Sequence, residues 1–170
     1  MSAIVIKARV QAENIDALNR VAKATEEIAN GTALNLAWSA VEGEECFDAT
    51  KATNGLTFKI GRKDPLVIGT GSILEDERKD AWYLEVTANT KNVWMAVSPE
   101  VNRDIIGETY KGIDPRRFMN AANIPFDAIK LVEGDIIQVS KDFFATGFDP
   151  DTVAGATTVA LSADGFKAAV

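Results

Sequence analysis

Along most of this chain apolar and polar residues alternate one for one, the pattern of a strand with one buried face and one wet face. Ile4, Ile6, Ala8 and Val10 alternate with Val5, Lys7 and Arg9 and predict a strand over residues 4–10. Leu34, Leu36, Trp38 and Ala40 share one face of the next such stretch, with Asn35 and Ser39 on the other. Further strands are predicted over residues 46–52, 56–60, 66–68, 81–86, 93–97, 105–110, 136–139, 157–161 and 166–170. Between residues 14 and 31 the period lengthens. Ile15, Leu18, Val21, Ala22, Ile28 and Ala29 recur at about 3.6 residues, with Asn14 as an N-cap and Gly31 placed to end the element. That spacing predicts one amphipathic helix packed on the sheet. A shorter version stops near Ala24 and leaves residues 25–31 as a loop.

Turn chemistry separates these elements. Asn54-Gly55 is a two-residue hairpin signal, and Glu133-Gly134-Asp135, Ala163-Asp164-Gly165 and Asp149-Pro150-Asp151 mark further turns. Ile113-Asp114-Pro115 and Ile124-Pro125-Phe126 punctuate an ordered loop over residues 112–126. Many short strands at this spacing predict a mainly β fold: a small barrel or sandwich of short antiparallel strands, with an N-terminal strand or arm and the one helix. The expected division is an N-terminal arm over 1–23, a β-rich core domain over 24–140, and C-terminal strands over 141–170 packed on that core.

Composition narrows the function classes. With 25 acidic and 18 basic residues the net charge is −7, which repels phosphate backbones and anionic lipid, so neither nucleic acid nor membrane is an expected partner. No run of about 18 apolar residues is present, and the opening MSAIVIKARV lacks the apolar core and cleavage site of a secretory signal. Cys46 is the only cysteine, so no intrachain disulfide can form and a reducing compartment is expected. Glu44, Glu45 and Asp48 around it disfavour a thiolate, which points to a small packed hydrophobe rather than a nucleophile. Histidine is absent, removing the commonest general base and metal ligand together.

The remaining motifs have plain readings. Gly69-Thr70-Gly71 lacks the third glycine and the Gly-Lys-Ser/Thr of a phosphate loop and reads as a turn. Asp149 and Asp151 lack calcium-loop spacing and read as a solvated turn. Glu42–Glu45 and the run from Glu75 to Asp80 read as polar turns rather than a facing catalytic pair. Trp38, Trp82 and Trp94 could form a sugar platform, but each falls in a strand pattern that favours core or subunit contact. Arg116 and Arg117 beside Phe118 either clasp a partner's carboxylate or stand as exposed charges. No catalytic residues, cofactor or metal are expected.

Several stretches resemble small structural proteins of tailed phages infecting Gram-positive bacteria, the decoration, cement or minor head proteins. The resemblance runs through Ala24-Thr25-Glu26-Glu27-Ile28 with Asn30-Gly31, then Val93-Trp94-Met95-Ala96-Val97-Ser98-Pro99-Glu100. It continues through Tyr110-Lys111-Gly112-Ile113-Asp114-Pro115-Arg116, Phe118 with Asn120, Phe126-Asp127-Ala128, and Glu133-Gly134-Asp135-Ile136-Ile137. It implies a barrel-like domain on the capsid exterior, assembled in the bacterial cytoplasm. The implied partners are the major capsid protein and copies of the chain itself, in a homo-oligomer with a trimer as candidate form. The expected contact residues are Ile4, Ile6 and Val10 on an N-terminal strand open to strand addition, and Arg116, Arg117 and Phe118 in the central loop. A host-surface glycan-binding module on the virion, or a tail or head–tail connector component, are the alternatives.

Overall fold

The computed structural model describes residues 3–65, 80–98, 118–153, 158–162 and 165–168. The strands expected at 66–68 and 105–110, the turn at Gly69-Thr70-Gly71 and most of the central loop lie outside these residues. The described strands are β1 (Val5–Arg9), β2 (Asn19–Lys23), β3 (Ile28–Ala29), β4 (Ala33–Trp38), β5 (Phe47–Lys51) and β6 (Leu56–Pro65). They continue with β7 (Asp80–Asn89), β8 (Trp94–Ala96), β9 (Met119–Asn120), β10 (Phe126–Lys130), β11 (Ile136–Ser140), β12 (Thr158–Ser162) and β13 (Gly165–Ala168).

The chain is mainly β, and a closed barrel, one of the two architectures that the strand pattern left open, is present beside an open sheet. One half is a six-stranded sheet in the order β1-β11-β7-β6-β12-β13, with every pairing antiparallel. The other is a closed five-stranded barrel, β10-β2-β5-β4-β8, and β3 pairs with β9 beside it. Two features depart from a fold of short antiparallel strands. β6 and β7 run ten residues each, and β2 pairs with β5 in parallel.

Period-two alternation lets three barrel strands serve both halves. Leu34, Ala96 and Ala128 point into the barrel, while their neighbours Ala33, Met95 and Ile129 join the core beneath the sheet. That larger core holds Phe58, Ile60, Leu84, Val86, Ile137 and Val139, with Trp82, Phe143 and Phe144 in edge-to-face ring contacts. Full burial of one such side chain is worth about 1.5–3 kcal/mol. The barrel interior is filled differently, by Ala22, Ala49, Ala96 and Ala128, with Leu34 and Phe126 as its large side chains. A five-stranded ring leaves room for little more than methyl groups at its waist.

The amphipathic helix over 14–31 is not what forms. Tight single turns at Gln11–Glu13 and Asp16–Leu18 lead directly into β2, and Ile28–Ala29 is a strand. The reason lies in a second periodicity overlooked in the same residues. Arg20, Ala22 and Ala24 alternate with Val21 and Lys23, and β10 and β5 supply backbone partners on both sides of β2. Ile15 and Val21, apolar positions in the helical pattern, are exposed instead. Gly31 ends no helix. Its φ is +81°, and a Cβ there would lie 2.9 Å from Phe143 Cδ2.

Asn54-Gly55 also changes role. β5 belongs to the barrel and β6 to the sheet, so this dipeptide carries the chain from one half to the other and forms no hairpin. Gly55 has φ +97° and packs so closely on Lys91 that a Cβ would sit 2.7 Å from its Cβ. Asn89 fixes the return crossing. Its amide donates to the carbonyls of Val93 and Leu131, both at 2.8 Å, and its oxygen accepts the Val93 N–H. The expected turn at Glu133-Gly134-Asp135 is present, with Gly134 at φ +88°. Buried Asp135 accepts the N–H groups of Val132 and Gln11 at 2.9 and 3.1 Å, tying the end of the N-terminal strand segment to the turn before β11.

Candidate interaction surface

One end of the barrel, where β2 and β5 begin and β4 ends, gathers side chains that the strand pattern alone does not place together. Arg20, one pair below the top of β2, extends from the interior side of its strand. Its guanidinium lies 5.6 Å from the Phe47 ring and 5.7 Å from the Trp94 ring. The same side chain donates to the carbonyl oxygens of Asp16 at 3.0 Å and Asn19 at 2.7 Å. Arg20 is thus a cap across the mouth, held by two rings and two carbonyls, each ring contact being worth about 0.5–2 kcal/mol depending on desolvation.

Trp38 is joined to this cap through Phe47. It is the cross-strand partner of Phe47 and meets it edge to face, with ring centroids 4.9 Å apart. Even so, Trp38 is 62% exposed, the most open large apolar side chain among the described residues. The hairpin tip beyond it carries exposed Val41, Glu42, Gly43 and Glu45.

The opposite face of the hairpin is tied down by charge. Lys23 Nζ reaches both carboxylate oxygens of Glu44, at 2.5 and 2.6 Å, and Ser39 Oγ donates to the same group at 3.0 Å. The hydrogen bond from Lys23, then that from Ser39, holds the Glu44 carboxyl below its ordinary value, and Glu44 raises Lys23 in return. Cys46 is buried with Sγ 3.9 Å from Glu44, in agreement with a packed small hydrophobe.

A second ionic cluster pins the C-terminal segment to the sheet. Lys63 Nζ lies 2.9 Å from Asp80 and 2.8 Å from Asp151, and the Trp82 indole N–H donates to Asp151 at 3.2 Å. Asp151 is therefore more than a solvated turn. Its carboxyl is lowered, first by the Lys63 hydrogen bond, and Lys63 is raised, first by Asp151 and then by Asp80. Asp149 caps the tight turn Pro150–Thr152 through the Asp151 N–H.

The residues singled out by sequence are dispersed. Ile4, Ile6 and Val10 are buried within this chain, so their side chains are already occupied, and what β1 offers outward is backbone. β1 is paired with β11 through Val5↔Val139 and Ile6↔Gln138. Phe118 is half-buried just before β9, and Arg116 and Arg117 lie outside the described residues. The three tryptophans separate: Trp82 is buried in the core, Trp94 is half-buried at the barrel mouth, and Trp38 is exposed. Arg20 and Phe47 are contributors that the sequence reading missed. The signal for Arg20 was the alternation through residues 20–24, hidden beneath a helical spacing, while Phe47 lay in an expected strand with nothing local to mark its ring.

Crevices formed by described residues lie away from Trp38 at three places. One, of about 190 Å³, lies between β1 and the barrel and is lined by Lys7, Arg20, Val97 and Asp127. A wider one of about 490 Å³ on the sheet is lined by Lys59, Gly61, Arg62, Tyr83 and Glu85, and the third, of about 540 Å³, is lined by Glu85, Thr87, Glu133 and Gly134. Among the described residues no group of three or more Cys, Asp and Glu is placed to hold a metal ion, and no helix is long and apolar enough to cross a membrane. Comparison with known protein families, curated proteins and solved structures finds no match.

Proposed function

We propose that this chain is a non-enzymatic structural protein of a phage virion, bound to the outer surface of the capsid lattice and stabilising it as decoration, cement or minor head proteins do. Its partners in this reading are the major capsid protein and further copies of itself. The observation that carries the reading is Trp38: an exposed indole at a capped barrel mouth is the form of an anchor residue awaiting a partner surface. The barrel behind it is packed with alanine methyls, which suits a support for a contact face. The sequence resemblance supplies the identity of the partner, and the acidic charge of −7 suits a position away from packaged DNA. Binding only the assembled shell would stabilise that shell by mass action.

Peptide mass quantification of purified particles tests this. The chain is expected at a fixed ratio to the shell protein, and Trp38→Ala is expected to lower its retention by roughly thirtyfold, the equivalent of a desolvated aromatic contact of about 2 kcal/mol. Absence from particles overturns the reading. A second reading, a module for a host cell-wall glycan, is favoured by the same exposed Trp38. It predicts saturable quenching of tryptophan fluorescence by wall polysaccharide, and no quenching at any concentration rejects it.

A further inference from the structure

We infer that the Trp38 mouth receives a cationic side chain, an arginine or lysine presented on a loop of a partner protein. The inference rests on the reading of this end of the barrel as the contact face. Its first support is a pattern of cation–ring contacts. Arg20 sits over Phe47 and Trp94, Arg62 lies 4.8 Å from the Tyr83 ring, and Lys63 lies 5.3 Å from the Trp82 ring. Two of the three tryptophans therefore have a cation from this chain on them. Trp38, the most exposed, has none among the described residues.

Charge supplies the second support. The tip that follows Trp38 holds Glu42, Glu44 and Glu45, and Asp48 follows Phe47. Lys23 and Ser39 occupy Glu44. Among the described residues Glu42 and Glu45 have no ion-pair partner, and both are exposed. An open indole on a hairpin whose tip carries exposed carboxylates attracts a cation through both the ring quadrupole and the charges, and Arg20, already spread over Phe47 and Trp94, leaves the Trp38 ring to a partner. A neutral sugar would need hydrogen-bonding groups beside the ring. Ser39 and Lys23 both bond to Glu44, and the exposed groups left on the hairpin tip, Glu42 and Glu45, are charged, which favours a cation over a neutral sugar.

The full chain can be titrated with the peptide acetyl-Gly-Arg-Gly-amide, its citrulline counterpart of equal shape and no charge, and a neutral N-acetylglucosamine oligomer. The readout is the Trp38 indole N–H resonance, assigned by its loss in Trp38→Phe, with the Trp82 resonance confirming the fold. The arginine peptide is expected to move the Trp38 signal saturably, and the citrulline peptide to bind several-fold more weakly. Glu42→Gln with Glu45→Gln is expected to weaken the arginine peptide roughly two- to fivefold, in step with added salt. Equal responses to arginine and citrulline, a response to the oligosaccharide alone, or none to the arginine peptide overturns the inference. Particles separate the two claims. Loss of Trp38→Ala from particles with full retention of the Glu42→Gln, Glu45→Gln variant overturns the cationic partner and leaves the capsid reading standing. A saturable arginine response from a chain absent from particles overturns the capsid reading instead.

Discussion

The sheet and the barrel are built from the same alternating strands, yet their interiors are opposite in kind. Beneath the sheet, Phe58, Leu84, Ile60 and a chain of phenylalanines fill a broad space with large side chains. Inside the barrel, four alanines and only two large buried side chains, Leu34 and Phe126, fill a narrow one. A large-side-chain core is sensitive to deletion, because surrounding atoms close only part of the gap left behind. An alanine-lined ring is sensitive to addition, because its backbone already encloses the smallest space that five strands allow. Stability in this molecule thus depends on volume with opposite sign in its two halves.

The largest expected effect breaks the sheet side of that comparison. Phe58, fully buried and in edge-to-face contact with Phe143, should lose roughly 3–5 kcal/mol on replacement by alanine, read from the urea unfolding midpoint. Next comes the barrel. Ala96→Leu should destabilise by about 1–3 kcal/mol although it adds apolar surface, and the barrel-strand amides should shift more than those of the sheet. A stabilising Ala96→Leu would show that the barrel waist holds spare room and would end the contrast.

The smallest effect concerns the charges that hold the hairpin bearing Trp38. Glu44 is lowered in the folded chain, so its contribution is present above the ordinary glutamate range and is lost as pH falls through the depressed folded value. Lys23 is raised, so its contribution is present below the ordinary lysine range and is lost as pH rises through the raised folded value. The hairpin amides should therefore exchange faster at both extremes while the Phe58 region does not. Glu44→Gln should flatten the acid limb, and an unchanged limb in that variant would remove the pair from any role.

Where side-chain alternation was the only regularity present, the sequence was a good guide. Residues 34–38, 47–51, 56–60, 81–86 and 94–96 are strands as the pattern predicts, and Gly134 sits in the turn its neighbours demand. It misled where two periods coincide. Residues 15–29 satisfy a helical spacing with Ile15, Leu18, Val21 and Ala22, while Arg20, Ala22 and Ala24 satisfy a strand. The choice is made by β10, about a hundred residues away, which no local signal reveals. Small residues compound the ambiguity, since alanines in a barrel interior look like helix formers. The contact face was legible only in part. Trp38 could be singled out, but its exposure depends on the barrel ending beneath it, and Arg20 had been assigned to a helix that is not there.

The register of the closing strands also sets when each half can exist. β2 meets β10 at Ala22↔Phe126, and β1 meets β11 at Val5↔Val139, so the first strands of both halves wait for partners late in the chain. A growing polypeptide therefore cannot close the barrel until Lys130 has left the ribosome, nor complete the sheet until Ala168 has. Until then its early strands have unsatisfied edges, and long-range closure of this kind is slow and leaves those edges open to mispairing.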